Sequence, residues 1–94
     1  MVKIHCYGGS REVGGSAFLV KNSKKEVLLD CGIYLSKEVR IPPISNIRNL
    51  KGIVITHAHL DHSGGFPALY GSANPKLFAT PLTMDISRVL IEGL

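Results

Sequence analysis

Hydrophobic and polar positions alternate over Val2–Cys6, the pattern of a β-strand. Two short apolar runs follow, Ala17–Val20 and Glu26–Leu29, on either side of the polar stretch KNSKK. Runs this short around a polar turn predict a β-hairpin rather than helices. The connection from the first strand is YGGSREVGGS, with four glycines in ten residues, which predicts turns. LLDCGIYL then leaves the hairpin through Asp30 and Gly32. Residues 36–50 hold two prolines and no period, so they predict a loop, with room for a helical turn near its end.

GIVIT, residues 52–56, is β-branched at four of five positions and predicts a fully buried central strand. SGGFPALYGSA predicts a short helix start and a loop, and KLFA, residues 76–79, a further strand. TPLTMDISRVLIEGL carries the start signals of a helix. Thr80 suits the N-cap, Pro81 the first helical position, and Asp85 the positive end of the dipole. Leu82, Ile86, Val89 and Leu90 recur at helical spacing and predict one apolar face. The order is three strands, a loop, a strand, a helix, a strand and a helix. It predicts a mixed α/β sandwich with its strands in the middle.

Composition changes this picture little. Ninety-four residues, 45% hydrophobic and 19% charged, make one small globular domain or part of a larger one. The net charge of +4 favours an anionic partner only weakly. Lys21, Lys24 and Lys25 surround the hairpin turn, and Arg40, Arg48 and Lys51 spread over a loop, so they read as solvated surface rather than a nucleic-acid patch. Cys6 and Cys31 form no CxxC and each borders an apolar run. They read as small buried residues, which suits a reducing cytoplasm. The N-terminus has no apolar leader, and no apolar run approaches the ~20 residues that cross a bilayer, so no membrane role is expected.

The chemistry concentrates at THAHLDH, residues 56–62. Three of the four histidines fall here with an aspartate among them. His57, His59, Asp61 and His62 stand at i, i+2, i+4 and i+5. Neither a strand nor a helix aims all four at one point, so a tight loop after a rigid strand is expected to present them. Two of the donors can address one ion and two another. Imidazole and carboxylate together suit zinc better than iron or manganese. His5, alone on a strand, reads as structural. Read from the residues alone, Asp30 fits a turn cap as well as any functional role. Gly64 and Gly65 fit both a close substrate approach and ordinary turns.

THAHLDHSGG resembles the HxHxDH signature of the metallo-β-lactamase superfamily. GGSREVGGSAFLV, VLLDCG and FATPLTMDISRVL resemble blocks of its β-CASP nucleases, in that family's order. The EVGGS turn is closer to the branch with the 3′-end-processing endonuclease of the cleavage and polyadenylation factor than to RNase J. The resemblance implies the N-terminal half of an αββα sandwich, a mixed sheet with flanking helices. It implies two zinc ions in the complete site, His57 and His59 serving one and Asp61 and His62 the other. Asp61 would also orient the attacking water, and Asp30 would prop the metal loop. The implied activity is metal-dependent phosphodiester hydrolysis of RNA, since paired ions suit that reaction. HxHxDH is shared by glyoxalase-like thioester or small-ester hydrolases, and a non-catalytic subunit that binds a nuclease partner is a further alternative.

The ligand count is incomplete. After His62 come no histidine and only the carboxylates Asp85 and Glu92. The family's later histidine and aspartate ligands and the β-CASP cap have no counterpart, so residues 1–94 are expected to be a partial metallo-β-lactamase domain, inactive alone. IEGL stops mid-helix by period, as a truncation would. GGSREVGGS begins within eight residues of Met1, so no N-terminal RNA-binding extension is expected. The missing half, or a second chain that could be another copy, would complete the site and cover an exposed sheet edge. Glu12 reads as a solvated turn carboxylate, and GGSREVGG as a strand-connecting turn near the site rather than a phosphate cradle.

Overall fold

The computed structural model describes residues 2–10, 14–23, 25–35, 39–40, 47, 50–71 and 74–94. Glu12, Lys24, Arg48 and the helical turn expected near the end of 36–50 lie outside these described residues. Five strands form one mixed sheet: β1 (Val2–Gly8), β2 (Ala17–Asn22), β3 (Lys25–Leu29), β6 (Leu50–Val54) and β7 (Lys76–Phe78), in the order β1-β2-β3-β6-β7. The first three pair antiparallel in sequence order, and β3, β6 and β7 run parallel. Two short strands, β4 (Tyr34–Leu35) and β5 (Val39–Arg40), pair with each other, so β5 falls inside the stretch 36–50 expected to be a loop and β4 lies just before it. Helix α1 (Leu60–Ser63), a 3₁₀ turn (Phe66–Gly71) and helix α2 (Pro81–Glu92) complete the chain. This is the α/β half-sandwich that the sequence predicts.

The hairpin closes between Asn22 and Lys25, with Ser23 at a φ of 53°. From there the alternation of strands divides the sheet cleanly. Leu19, Leu28, Ile53 and Leu77 lie in one cross-strand row, and the first three are buried with Cys31, Ile55 and Leu69. On the other face the row is Cys6, Phe18, Leu29, Val54 and Phe78, with Ile4 alongside. That face is apolar and largely uncovered: Ile4 is 71% exposed and Phe78 54%. The alternating pattern of β1 therefore marks a strand exposed on both faces rather than half-buried. Cys6, expected to be buried, is exposed with it, its thiol donating to the Gly8 carbonyl. His5 stands on the same strand, its ring 4.4 Å from that of Tyr7.

Helix α2 starts as its residues dictate. Thr80 caps it by accepting from the Thr83 amide, and Pro81 follows. Its packing is not as the apolar spacing suggests. Leu82, Ile86, Val89 and Leu90 all point outward, and the inward stripe is Thr83, Met84, Ser87 and Ile91, with Ser87 fully buried. Apolar periodicity reports which face avoids water, not which neighbour covers it. Asp85 lies beyond the first turn, so its tie to the helix dipole is weaker than expected. No helix among the described residues is long and apolar enough to cross a membrane.

Candidate metal centre

The site grows from the end of β6. GIVIT does not finish as a strand: the ladder stops at Val54, and Ile55 keeps one bond, its amide donating to the Phe78 carbonyl at 3.0 Å. At Thr56 the backbone leaves the sheet because a stronger acceptor is at hand. Its amide donates to Oδ1 of Asp30 at 2.7 Å, and its hydroxyl donates to Oδ2 at 2.8 Å. His57 and His59 follow outside any strand or helix, His59 at a φ of −57° and a ψ of 140°. The loop expected to carry all four donors is then replaced by one turn of helix, so Asp61 and His62 are helical residues. The change from irregular chain to a helical turn within six residues is what lets i, i+2, i+4 and i+5 converge.

One donor atom from each of His57, His59 and Asp61 falls within 4.8 Å of the others. The two histidines are exposed and the aspartate half-buried. His62 adds a fourth donor beside this group. Its ring lies 4.0 Å from that of His57, and its Nε2 is 3.6 Å from Oδ2 of Asp61. The other nitrogen, Nδ1, is held at 2.9 Å by Oδ2 of Asp30. The donors are imidazoles and a carboxylate at separations an ion could bridge, so the residues fit a metal.

Asp30 is the hub beneath them. It is buried, at a φ of 62°, a backbone region that aspartate tolerates better than most side chains. Its own amide donates to the Val54 carbonyl, tying β3 to β6 at the point where both stop. The residues after it clamp the helical turn: Cys31 donates to the His62 carbonyl at 2.9 Å and Ile33 to that of Leu60 at 3.0 Å. Ser16, at the end of the glycine-rich turn, donates to the Asp61 carbonyl at 3.0 Å. That turn thus holds the metal loop by its backbone. Gly32 sits against the same carbonyl, where a Cβ would overlap Asp61. Gly65 donates to the Cys31 carbonyl, and a Cβ on it would press on Gly32 at 2.7 Å, so this glycine meets its own chain on that side. Burial, aided by the Asp30 carboxylate, pushes the Cys31 thiol up to about 12, so it stays protonated and packs as an apolar side chain.

The sequence pattern does not single out Thr56, Ser16 or Gly32 as parts of the site. Thr56 had a signal, as the one polar residue closing an apolar strand directly before the first histidine. Ser16 and Gly32 act through backbone, and only the fold brings them to Asp61.

Over residues 10–90 the sequence matches the profile of the metallo-beta-lactamase superfamily. The chain belongs to that superfamily. A probable RNase MJ4 from Methanocaldococcus jannaschii is 41% identical over 88 residues, covering 93% of this chain and 20% of the relative. The transcription termination factor FttA of Methanosarcina mazei is 33% identical over 95% of this chain and 15% of its own length. Ribonuclease J of Helicobacter pylori is 35% identical over 90% of this chain and 14% of its own. The resemblance to β-CASP nucleases holds across these relatives. The superfamily chain described here spans at most a fifth of the length of these three.

Proposed function

We propose that this chain carries the first metal-binding segment of a zinc-dependent, RNA-cleaving phosphodiesterase. The observation that carries the reading is the convergence of His57, His59 and Asp61 within 4.8 Å, with His62 beside Asp61. The ribonuclease names of relatives such as the probable RNase MJ4 supply the substrate class. In this reading His57 and His59 hold one zinc ion, and Asp61 and His62 the other. Bound in pairs, such ions would make water nucleophilic near neutral pH and would stabilise charge on the attacking water oxygen and on the leaving oxygen of the phosphodiester. Asp61 is the catalytic residue: its carboxylate holds and orients the attacking water and takes up its proton. Asp30 keeps His62 fixed from below.

Four donors do not satisfy two ions, so further ligands come from another segment or chain, and the isolated chain binds metal weakly and is inactive. The uncovered sheet face bearing Ile4, Leu29 and Phe78 supports a covering partner, a companion half or a second copy. The unpaired cysteines suit a cytoplasmic setting.

A chimera tests the function. This chain would replace the matching segment of the probable RNase MJ4, and a single-stranded RNA would be offered with zinc. The chimera is expected to cleave it, and Asp61→Asn to lower the rate by about 10²–10⁴. A folded, zinc-loaded chimera that leaves RNA intact would refute the proposal.

A further inference from the structure

We infer that Thr56 is a positioning residue that sets the tautomer of His57, relaying the Asp30 carboxylate to a ring that carboxylate does not touch. This rests on the proposed metal site, since the tautomer matters for which nitrogen is left to bind an ion. The reasoning is a count of protons. As a carboxylate, Asp30 only accepts hydrogen bonds. Its Oδ2 lies 2.8 Å from Oγ1 of Thr56 and 2.9 Å from Nδ1 of His62, so both partners donate to it. The threonine hydroxyl has one hydrogen, and it is used there. Yet Oγ1 of Thr56 also lies 3.0 Å from Nδ1 of His57. With its hydrogen committed, Oγ1 can only accept, so Nδ1 of His57 carries the proton.

Two histidines are thereby fixed as the Nδ1–H tautomer by one buried carboxylate, His62 directly and His57 through Thr56. Each keeps a bare Nε2 as its one free lone pair, facing away from the anchoring group. This matters because a free histidine ring prefers to hold its proton on Nε2, the state that would block that nitrogen. Thr56 is suited to the relay by position. Its amide is held by Oδ1 of Asp30 at 2.7 Å, which keeps the backbone that carries the hydroxyl against the carboxylate. His59, the remaining histidine of the group, has no such tie among the hydrogen bonds of the described residues, and nothing here fixes its tautomer.

The test is nitrogen-15 NMR of the histidine rings in the metal-free chain, in wild type, Thr56→Val and Thr56→Ser, followed by zinc titration of each. Valine keeps the shape and the backbone bond but lacks the hydroxyl, and serine restores it. The expected result is Nδ1–H at His57 and His62 in wild type and the serine variant. In the valine variant His57 alone shifts toward Nε2–H, and zinc binds about tenfold more weakly, with serine restoring the affinity. Wild-type His57 protonated on Nε2, or a valine variant with His57 unchanged, would overturn the inference. If the tautomers behave as expected but zinc binds none of the three proteins, the relay stands and the metal-site reading fails. Should the valine variant lose its spectral dispersion, wild type beside serine still decides the tautomer of His57.

Discussion

Asp30→Asn is expected to weaken zinc binding by about 10–100-fold while leaving the fold recognisable. Asparagine has nearly the same shape and tolerates the φ of 62° at this position, so backbone strain does not enter. What changes is acceptor capacity. Asp30 accepts from the Thr56 amide, the Thr56 hydroxyl and Nδ1 of His62. An amide has one oxygen and one donating nitrogen, so at least one of these donors faces another donor. With the amide nitrogen at the Oδ2 position, the hydroxyl and His62 lose their acceptor and both ring nitrogens are freed to turn; with the oxygen there, the Thr56 amide faces the nitrogen and the backbone that leads into His57 is pushed out of place. The cost to stability is about 1–3 kcal/mol, the usual penalty of one buried unpaired group. Zinc titration and chemical denaturation of wild type and variant check both figures. Equal zinc affinity would mean that Asp30 is merely a turn cap.

The second large effect is expected at a residue with no chemistry of its own. Gly32→Ala puts a methyl group into the Asp61 carbonyl, and the obstacle is backbone on both sides. The segments that would have to part are joined by the Cys31 bond to His62 and the Ile33 bond to Leu60. Relief therefore displaces the helical turn that carries Asp61 and His62. Overpacking against a rigid neighbour costs about 1–3 kcal/mol, and here more is expected, because no flexible side chain can give way. The variant should melt well below wild type and lose saturable zinc binding together with Asp61. A crystal structure or amide exchange would show the disturbance centred on residues 60–63. A variant that melts and binds zinc as wild type does would show that the clamp is looser than described.

These two residues also show what can be read from a sequence of this kind. The hairpin, the strands near residues 52–56 and 76–79 and α2 were legible because each depends on local signals: turn residues, β-branched runs, and the Thr80-Pro81 start. The metal donors were legible because imidazoles and carboxylates at short spacing have few other reasons to cluster. The fine structure at Thr56 was not. β-branched residues continue through it, and its amide goes to Asp30, 26 positions earlier, instead of to a neighbouring strand. The buried face of α2 differs from the apolar stripe for a related reason. The apolar stripe of Leu82, Ile86 and Val89 is plain in the sequence, but the neighbours available to the helix meet Ser87 instead. Cys6 likewise follows an apolar alternation that nothing among the described residues covers. Where a property is set by the residue and its neighbours in sequence it could be read; where it depends on which surface meets which, it could not.

The claim on which all of this depends is that His57, His59, Asp61 and His62 form one metal centre. The most direct measurement is a zinc titration of the chain followed through its histidine ring signals, with His59→Ala beside it. The account predicts that His57, His59 and His62 shift together and saturably, that His5 on β1 does not move, and that the alanine variant loses the transition. If His5 responds like the others, or if His59→Ala titrates like wild type, zinc is meeting exposed histidines one by one and there is no centre.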